Sequence, residues 1–133
     1  MIEVKDLRKG FGDVEVLKGI TTTFHPGKTS LIIGQSGAGK TVFLKSLIGL
    51  HIPESGTISF DGRINTNFSI EEKMQWRQEI GMVFQGGALF DSQTVEENVM
   101  FPLKMFTKQS QKEMLERVNF VLDRVNLENS NDK

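Results

Sequence analysis

Apolar and polar residues alternate along the first part of the chain at the period of a half-buried strand. The segments MIEVKDL and EVLKGITTTF both show this alternation, and HPGK after them is typical of a turn with Pro-Gly at its centre. The next run, TSLII, is short and continuously apolar, which is typical of a strand buried on both faces. The pattern therefore predicts that residues 1–33 are mainly β.

The hydrophobic period changes to that of a helix after a glycine-rich loop. The recurring apolar residues are Val42, Phe43, Leu44, Leu47 and Ile48. The loop and this helix together occupy residues 34–50, with Gly49 near the helix end. The strand TISFDGRI follows, and its Asp61-Gly62 pair indicates a hairpin turn, so residues 56–68 are again predicted to be mainly β.

Two capping boxes mark the beginnings of later helices. SIEE, at Ser69 to Glu72, opens a short helix, and TVEE, at Thr94 to Glu97, precedes a second one. Between them, IGMVF is typical of another buried strand, which ends at Gln85. The tripeptide FPL at 101–103 follows the second box closely, and one interpretation is that it packs and ends that helix.

An amphipathic helix is predicted over residues 108–127. Its apolar face consists of Met114, Leu115, Val118, Val121, Leu122 and Val125. The preceding region, 80–103, leads into this helix without a linker, repeat or low-complexity tract. We therefore expect residues 1–133 to be one continuous portion of a single domain.

Composition excludes several classes of function. The absence of cysteine removes disulfides, thiolate metal sites and cysteine nucleophiles. The net charge is −1, with basic and acidic residues interspersed, so no nucleic-acid partner is expected. The charged N-terminus lacks the apolar core of a secretory signal, and no apolar run approaches the ~18 residues of a spanning helix. Any membrane role is therefore expected to depend on a partner.

The octapeptide GQSGAGKT, Gly34 to Thr41, matches the pattern G-x-x-x-x-G-K-[ST] at every fixed position. In such a loop a strand ends, the backbone wraps around an anion, and unpaired N–H groups of the following helix point at it. Gly37 and Gly39 allow unusual backbone angles. The Lys40 ammonium is expected at the β- and γ-phosphates, and the Thr41 hydroxyl is expected to ligate Mg²⁺. The predicted nucleotide-binding residues are Gly34, Gln35, Ser36, Gly37, Ala38, Gly39, Lys40, Thr41 and Val42.

With three further segments, the chain resembles the ATP-binding subunit of an ABC transporter. FGDVEVLKGI places Phe11 where that family stacks an aromatic ring on adenine, and Val16 is expected to add an apolar contact. LIGLHIPESGTISFDG is similar to the family's stretch between the loop helix and the next hairpin. IGMVFQGGALFDSQTVEENVMF is similar to the family's Q-loop. This resemblance implies that Gln85 contacts Mg²⁺ or the attacking water.

The resemblance implies an α/β fold, namely a P-loop NTPase core of the ABC ATPase type with an antiparallel β subdomain, reaching the start of the helical subdomain. It implies ATP and Mg²⁺ as cofactors and a second ATP-binding subunit in a homodimer. It also implies that the segment after Gln85, roughly Gly86 to Phe101, faces transmembrane permease subunits, with the protein peripheral on the cytoplasmic face of the membrane. The apolar residues Leu89, Phe90, Val95 and Phe101 of this segment face the permease or are buried internally, and the sequence leaves both possibilities open.

Within the family, FQGGALFDSQTVEENVMFPL is most similar to the ATPase of the bacterial Mla phospholipid-transport system. This similarity implies a lipid cargo. Other ABC importers carry similar segments, so the cargo is not determined by it.

Several of the family's motifs have no counterpart in this sequence: the Leu-Ser-Gly-Gly-Gln signature, the Walker B aspartate with its catalytic glutamate, and the switch histidine. His25 and His51 both precede the Q-loop and are interpreted as turn or surface residues. The family's Walker B strand would also be a neighbour of the strand before the loop. The resemblance therefore covers the first half of the family's domain. These 133 residues are expected to bind nucleotide at most and not to hydrolyse it, whereas the parent protein would be an ATPase.

Two other classes of function remain open. One is a DNA-repair or chromosome-structure ATPase of the same superfamily, which would carry heptad or zinc-binding insertions; this chain has neither cysteine nor a heptad tract. The other is a short, non-catalytic nucleotide-binding module.

Overall fold

The described part of the chain contains the strands β1 (Ile2–Phe11), β2 (Val14–Phe24), β3 (Ser55–Phe60) and β4 (Arg63–Ile64). They form one antiparallel sheet in the order β2-β1-β3-β4. Between β3 and β4 lies the predicted hairpin turn, in which Asp61 and Gly62 have φ angles of 47° and 79°. Positive φ at both central residues is what a tight hairpin with the twist of its strands requires.

A bulge interrupts the alternation along β1. Val4 and Leu7 are both buried although they lie three positions apart, because the pairing with β2 shifts register between them. Within the bulge Asp6 has a φ of 44°, and its N–H donates to the Thr21 hydroxyl over 3.0 Å. The shift directs both apolar side chains to the covered face of the sheet.

The structure is a computed structural model and describes residues 1–65 and 68–133. It consists of two compact units, Met1–Met82 and Val83–Lys133. Each unit has its own hydrophobic cluster. Positions 66 and 67, in the predicted β region 56–68, lie outside the described residues. Among the described helices, none has the length and apolar character needed to cross a membrane.

Helix α1 (Lys40–Leu47) follows the glycine loop and packs against the sheet. The core of the first unit consists of Val4, Leu7, Leu17, Phe43, Leu47 and Ile58. As predicted, a glycine lies at the helix end: Gly49 has a φ of 69°, and the Leu50 N–H donates to the Lys45 carbonyl over 2.8 Å. The chain therefore turns sharply at the end of the helix before it continues to β3.

Helix α2 (Ile70–Gln78) begins at the first predicted capping box, which is confirmed. The Ser69 hydroxyl accepts from the Glu72 N–H, and the Glu72 carboxylate accepts from the Ser69 N–H over 2.7 Å. After its last turn, the Glu79 carboxylate accepts two hydrogen bonds from Arg63, of 3.2 and 2.6 Å. These bonds lower the pKa of Glu79 and link α2 to β4.

Two predicted buried strands, at 29–33 and 80–84, are not strands in the structure. Leu31, Ile33 and Val83 are 84%, 81% and 95% exposed. A buried parallel strand is held by hydrogen bonds to neighbouring strands, and the strands paired in the described part of the chain are the four of the antiparallel sheet. The prediction was wrong because an apolar segment forms a strand only where another strand pairs with it.

In the second unit, α3 (Val95–Phe106) begins at the second predicted capping box, formed by Thr94 and Glu97. Pro102 lies inside this helix, so the interpretation that 101–103 end it was wrong. Proline removes one backbone donor from the helix, but Met100 and Leu103 on either side pack into the unit's core and hold the helix together.

Helix α4 (Gln111–Arg124) lies within the predicted range 108–127. Its buried residues are Met114, Val118 and Leu122, which form the second unit's core with Met100 of α3. The predicted apolar face was too broad, since Leu115 and Val125 are exposed. Packing against a single helix covers only a narrow stripe of α4, and the residues beside that stripe remain in contact with solvent.

The polar segment after α4 folds back onto the start of α3. The carbonyls of Asn131 and Lys133 accept from the N–H groups of Glu96 and Val95 over 3.0 and 2.8 Å. The Asn131 side chain also donates to the Glu96 carboxylate over 2.8 Å and to the Asn119 side chain over 2.9 Å. The segment thus satisfies first-turn donors of α3 that have no partner within the helix.

Candidate nucleotide-binding site

The glycine loop, Gly34 to Thr41, connects the apolar run 29–33 to α1. It makes a tight turn in which the Ala38 N–H donates to the Gln35 carbonyl over 3.2 Å. Gly37 and Gly39 have φ angles of 78° and 90°, which side-chain-bearing residues rarely adopt. The loop backbone is thereby curved around the start of the helix.

Gly39 is required by its surroundings as well as by its backbone angle. A Cβ at this position would lie 2.8 Å from the Val16 Cγ1 atom and 3.3 Å from the Leu17 Cδ2 atom. Val16, a predicted nucleotide contact, therefore lies against the loop, and it also packs against the core of the first unit. The loop and β2 are brought together at this point.

The N-terminus of α1 is free of side-chain capping. Its N-cap is Gly39, and no side chain accepts a hydrogen bond from the first turn. N–H groups at the start of a helix lack partners within it, and the helix dipole favours a negative charge there. This helix end therefore fits a phosphate group.

Lys40 folds over its own loop. Its Nζ atom donates to the Gly34 carbonyl over 2.6 Å and to the Gln35 carbonyl over 2.7 Å. These two bonds hold an ammonium group beside the curved backbone and the uncapped helix end. Thr41 is exposed, so its hydroxyl is accessible from solvent. The donor set fits a nucleoside phosphate, with Thr41 as a candidate oxygen ligand for Mg²⁺.

Phe11 ends β1 and pairs with Val14 across the first hairpin. Its ring is 48% exposed and makes an edge contact with the His51 ring at a centroid distance of 5.3 Å. The Lys9 ammonium lies 5.1 Å from the centroid of the same ring. Phe11 therefore has an accessible ring surface for a stacked base. Sequence reasoning missed its contact with His51, because no local pattern connects residues so far apart in the chain.

Gln85 belongs to the second unit, whereas Phe11, Val16 and the loop residues belong to the first. It lies in a tight turn closed by the Gly87 N–H, which donates to the Phe84 carbonyl over 3.1 Å. Gly86 has a φ of 94°, as the third residue of a type II turn requires. Gln85 is exposed, and its role at the nucleotide remains a prediction.

The segment after Gln85 keeps most of its apolar residues exposed. Leu89, Phe90 and Phe101 are exposed, and the two phenylalanine rings make an edge contact with centroids 4.9 Å apart. Val95 packs against the core of the second unit. Asn98 fixes the segment, because its side chain accepts from the Phe90 N–H over 2.8 Å and donates to three backbone carbonyls. The sequence left open whether Leu89, Phe90, Val95 and Phe101 face the permease or are buried internally. Of these four, only Val95 is packed inside the unit.

The described residues contain no cluster of three or more histidine and acidic side chains that could hold a metal ion. Thr41 and Gln85 as Mg²⁺ ligands therefore stay predictions, each made for a single residue of its own unit.

Comparisons with known proteins agree with this geometry. Residues 17–133 match the family described as ABC transporter. The probable ribonucleotide transport ATP-binding protein mkl of Mycobacterium leprae is 42% identical over 126 residues, which are 95% of this chain and 36% of that protein. The methionine import ATP-binding protein MetN of Rhizobium johnstonii is 39% identical over 127 residues, 96% of this chain and 35% of that protein.

A third relative is Protein TRIGALACTOSYLDIACYLGLYCEROL 3, chloroplastic, of Arabidopsis thaliana, which is 37% identical over 127 residues, 96% of this chain and 36% of that protein. The chain thus spans about a third of the length of the curated relatives it matches.

Solved structures share the fold. The ATP-binding cassette MJ0796, in a dimeric post-hydrolysis state bound to ADP and Pi, has a TM-score of 0.86 at 28% identity, over 100% of this chain and 61% of that one. CbiO1 from Clostridium perfringens, part of the ABC transporter complex cbiONQ, has a TM-score of 0.82 at 32% identity, over 99% of this chain and 53% of that one. The predicted P-loop ATPase fold with an antiparallel β subdomain is confirmed. The chain belongs to the ABC transporter family of ATP-binding proteins.

Proposed function

We propose that the loop Gly34 to Thr41 binds the phosphates of ATP in a subunit that powers an ABC transporter. The observation that carries this proposal is the Lys40 ammonium held over a curved glycine backbone at an uncapped helix start. ATP phosphates would replace the Gly34 and Gln35 carbonyls as partners of Lys40. Each charged hydrogen bond of this kind contributes roughly 1.5–3 kcal/mol.

The remaining predicted site residues have distinct roles in this proposal. Phe11 offers its exposed ring to the adenine base, and Val16 supplies an apolar contact beside the loop. Thr41 would ligate Mg²⁺ together with phosphate oxygens, and Gln85 would contact Mg²⁺ or the attacking water. The bound metal would neutralise phosphate charge.

The proposed partners are a second copy of the ATP-binding subunit and transmembrane permease subunits. Support for the first comes from the dimeric MJ0796 cassette, and support for the second comes from CbiO1, which is part of the cbiONQ transporter complex. The proposed contact with the permease is the segment Gly86 to Phe101, whose Leu89 and Phe90 are exposed. The subunit would then lie on the cytoplasmic face of the membrane. The family match favours this function over a DNA-repair ATPase or a non-catalytic module.

The first test is calorimetric titration of the chain with Mg-ATP. Lys40→Ala is expected to abolish measurable binding, because the loop loses its only lysine and the hydrogen bonds it makes. Phe11→Ala is expected to weaken binding about 5- to 150-fold, since stacking on a base contributes roughly 1–3 kcal/mol. Lys28→Ala, which removes an exposed lysine before the loop, is the matched control and should bind as the parent does. Equal binding by the parent and Lys40→Ala would contradict the proposal.

We further propose that the transported cargo is a lipid. The proposal is supported by the similarity of FQGGALFDSQTVEENVMFPL to the Mla phospholipid-transport ATPase and by the lipid in the name of the Arabidopsis relative. Other relatives are named for ribonucleotide and methionine transport. The test is to isolate the native membrane complex through a tag on this subunit and to reconstitute it. ATP-dependent movement of labelled phospholipid supports a lipid cargo; movement of ribonucleotide or methionine without phospholipid contradicts it.

A further inference from the structure

Phe11, whose ring is proposed to stack on adenine, contacts a residue that the sequence placed at a turn or on the surface. The Phe11 and His51 rings meet edge to face, with centroids 5.3 Å apart and ring planes at 76°. Phe11 is 48% exposed, whereas His51 is half-buried. His51 therefore covers one part of the Phe11 ring and leaves the rest open to a ligand.

The backbone of His51 is fixed to the end of α1. Its N–H donates to the Lys45 carbonyl over 3.2 Å, and the N–H of the preceding Leu50 donates to the same carbonyl over 2.8 Å. Because α1 begins at Lys40, one helix carries the proposed phosphate-binding lysine at its start and holds His51 at its end. The position from which the imidazole contacts Phe11 is thus set by α1.

The turn after α1 is also attached to the end of β1. The Glu54 N–H donates to the Arg8 carbonyl over 3.0 Å, and the Glu54 carboxylate accepts from the Gly10 N–H over 3.0 Å. The same carboxylate lies 3.6 Å from the Lys9 ammonium, which lies 5.1 Å from the centroid of the Phe11 ring. These contacts keep the turn and the end of β1 together, so the edge contact is part of an ordered junction.

We propose that His51 is a positioning residue for the base, which holds the Phe11 ring in the orientation that stacks on adenine. This inference rests on the proposed function, because His51 acts through the proposed stack on Phe11. An unsupported side chain at the end of a hairpin loses rotamer freedom when a ligand binds to it, whereas a ring already held by a neighbour loses less. Edge contacts are a preferred arrangement of aromatic pairs. His51 thereby raises the affinity for the base and not for the phosphates.

The test compares two ligands that share a triphosphate and differ in the base. Mg-ATP and Mg-tripolyphosphate are titrated by calorimetry into the 133-residue chain and its variants. We expect His51→Ala to weaken ATP binding about 2- to 12-fold, which is the worth of one aromatic edge contact. Binding of tripolyphosphate should be unchanged. A general loss of structure at the end of α1 would instead weaken both ligands.

Two further variants serve as the rescue and the control. His51→Phe keeps an aromatic ring at the position and should retain most of the affinity for ATP that His51→Ala loses. His25→Ala removes the other histidine of the chain, which is exposed, and should bind both ligands as the unmodified chain does.

A double variant separates action through Phe11 from direct contact with the nucleotide. In the Phe11→Ala background, His51→Ala should cause no further loss of ATP affinity, because the ring that it holds has been removed. Residues that act independently give additive losses. Additive losses in this pair would overturn the proposal.

The chain also offers a readout that leaves His51 in place, because it has only two histidines. Their imidazole Cε1–H groups give two resonances in a proton–carbon NMR spectrum, and Phe11→Ala identifies that of His51 by removing the adjacent ring. ATP should shift the His51 resonance saturably, and tripolyphosphate should not. A His51 resonance that does not move when ATP is bound would overturn the proposal, even if His51→Ala does not fold.

The outcomes distinguish this proposal from the function on which it rests. If neither ligand binds to the unmodified chain, the proposed function is contradicted and the role of His51 is contradicted with it. If ATP binds and Phe11→Ala weakens that binding but His51→Ala does not, the proposed function stands and the positioning role of His51 is overturned.

Discussion

At the scale of single residues, the Lys40 ammonium donates hydrogen bonds to the backbone of its own loop. The two carbonyls that it contacts, of Gly34 and Gln35, belong to the loop that is proposed to surround phosphate. The lysine is thus ordered beside its site without a ligand. Less side-chain entropy is then lost when a phosphate takes the place of the carbonyls.

Gly56 in β3 and Gly62 in the turn after it should differ in how much stability an alanine substitution costs. Gly56 has a φ of 89°, and a Cβ there would lie 2.4 Å from the Asp6 carbonyl oxygen, at the bulge in β1. Gly62 has a φ of 79°, but a Cβ there would meet nothing within 4 Å. Gly62→Ala should therefore cost only the backbone strain, about 1–2 kcal/mol. Gly56→Ala should cost that strain plus the overlap with backbone, about 2–5 kcal/mol in all.

The measurement for this pair is urea unfolding followed by the fluorescence of Trp76, which lies in the same unit as both glycines. Because the two substitutions are chemically identical, the difference between them isolates the steric term at the bulge. Equal losses of stability would show that β1 and β3 do not approach each other closely at Gly56.

At the scale of elements, local chemistry accounts for where helices and hairpins begin. The capping boxes at Ser69 and Thr94 are formed as predicted, and the Asp61-Gly62 turn joins β3 to β4. Each depends on side-chain or backbone contacts within a few residues of sequence. Such elements are therefore predictable from a single sequence.

Elements that depend on distant partners were predicted less well. The runs at 29–33 and 80–84 have the composition of buried strands but no paired neighbour in the described residues, and they are exposed. Pro102 continues a helix that local rules would end there, because its neighbours Met100 and Leu103 pack into a core. In each case tertiary packing, or its absence, decided the outcome against the local pattern.

At the scale of the whole molecule, the loop Gly34 to Thr41 is proposed to bind phosphate, and we predict that the isolated chain binds Mg-ATP but does not hydrolyse it. Phosphoryl transfer requires a well-held metal and an activated water, and the proposed residues Lys40, Thr41 and Gln85 include no carboxylate that could ligate the metal or act as the base.

The measurement is phosphate release from Mg-ATP by the purified chain, with Lys40→Ala as the baseline. The expected rates are indistinguishable. Turnover by the parent clearly above that of Lys40→Ala would contradict the prediction, since the variant retains the rest of the chain and would share any contaminating activity.

The glycine-loop motif, the family, the capping boxes and the hairpin turn were all readable from the sequence, because each is encoded by neighbouring residues at fixed spacing. Long-range packing, in contrast, set which apolar runs are covered, placed Phe11 against His51, and brought Lys73, Trp76 and Arg77 to the turn after α1. These outcomes depend on residues far apart in the chain, and their energies come from packing and pairing that no local pattern contains.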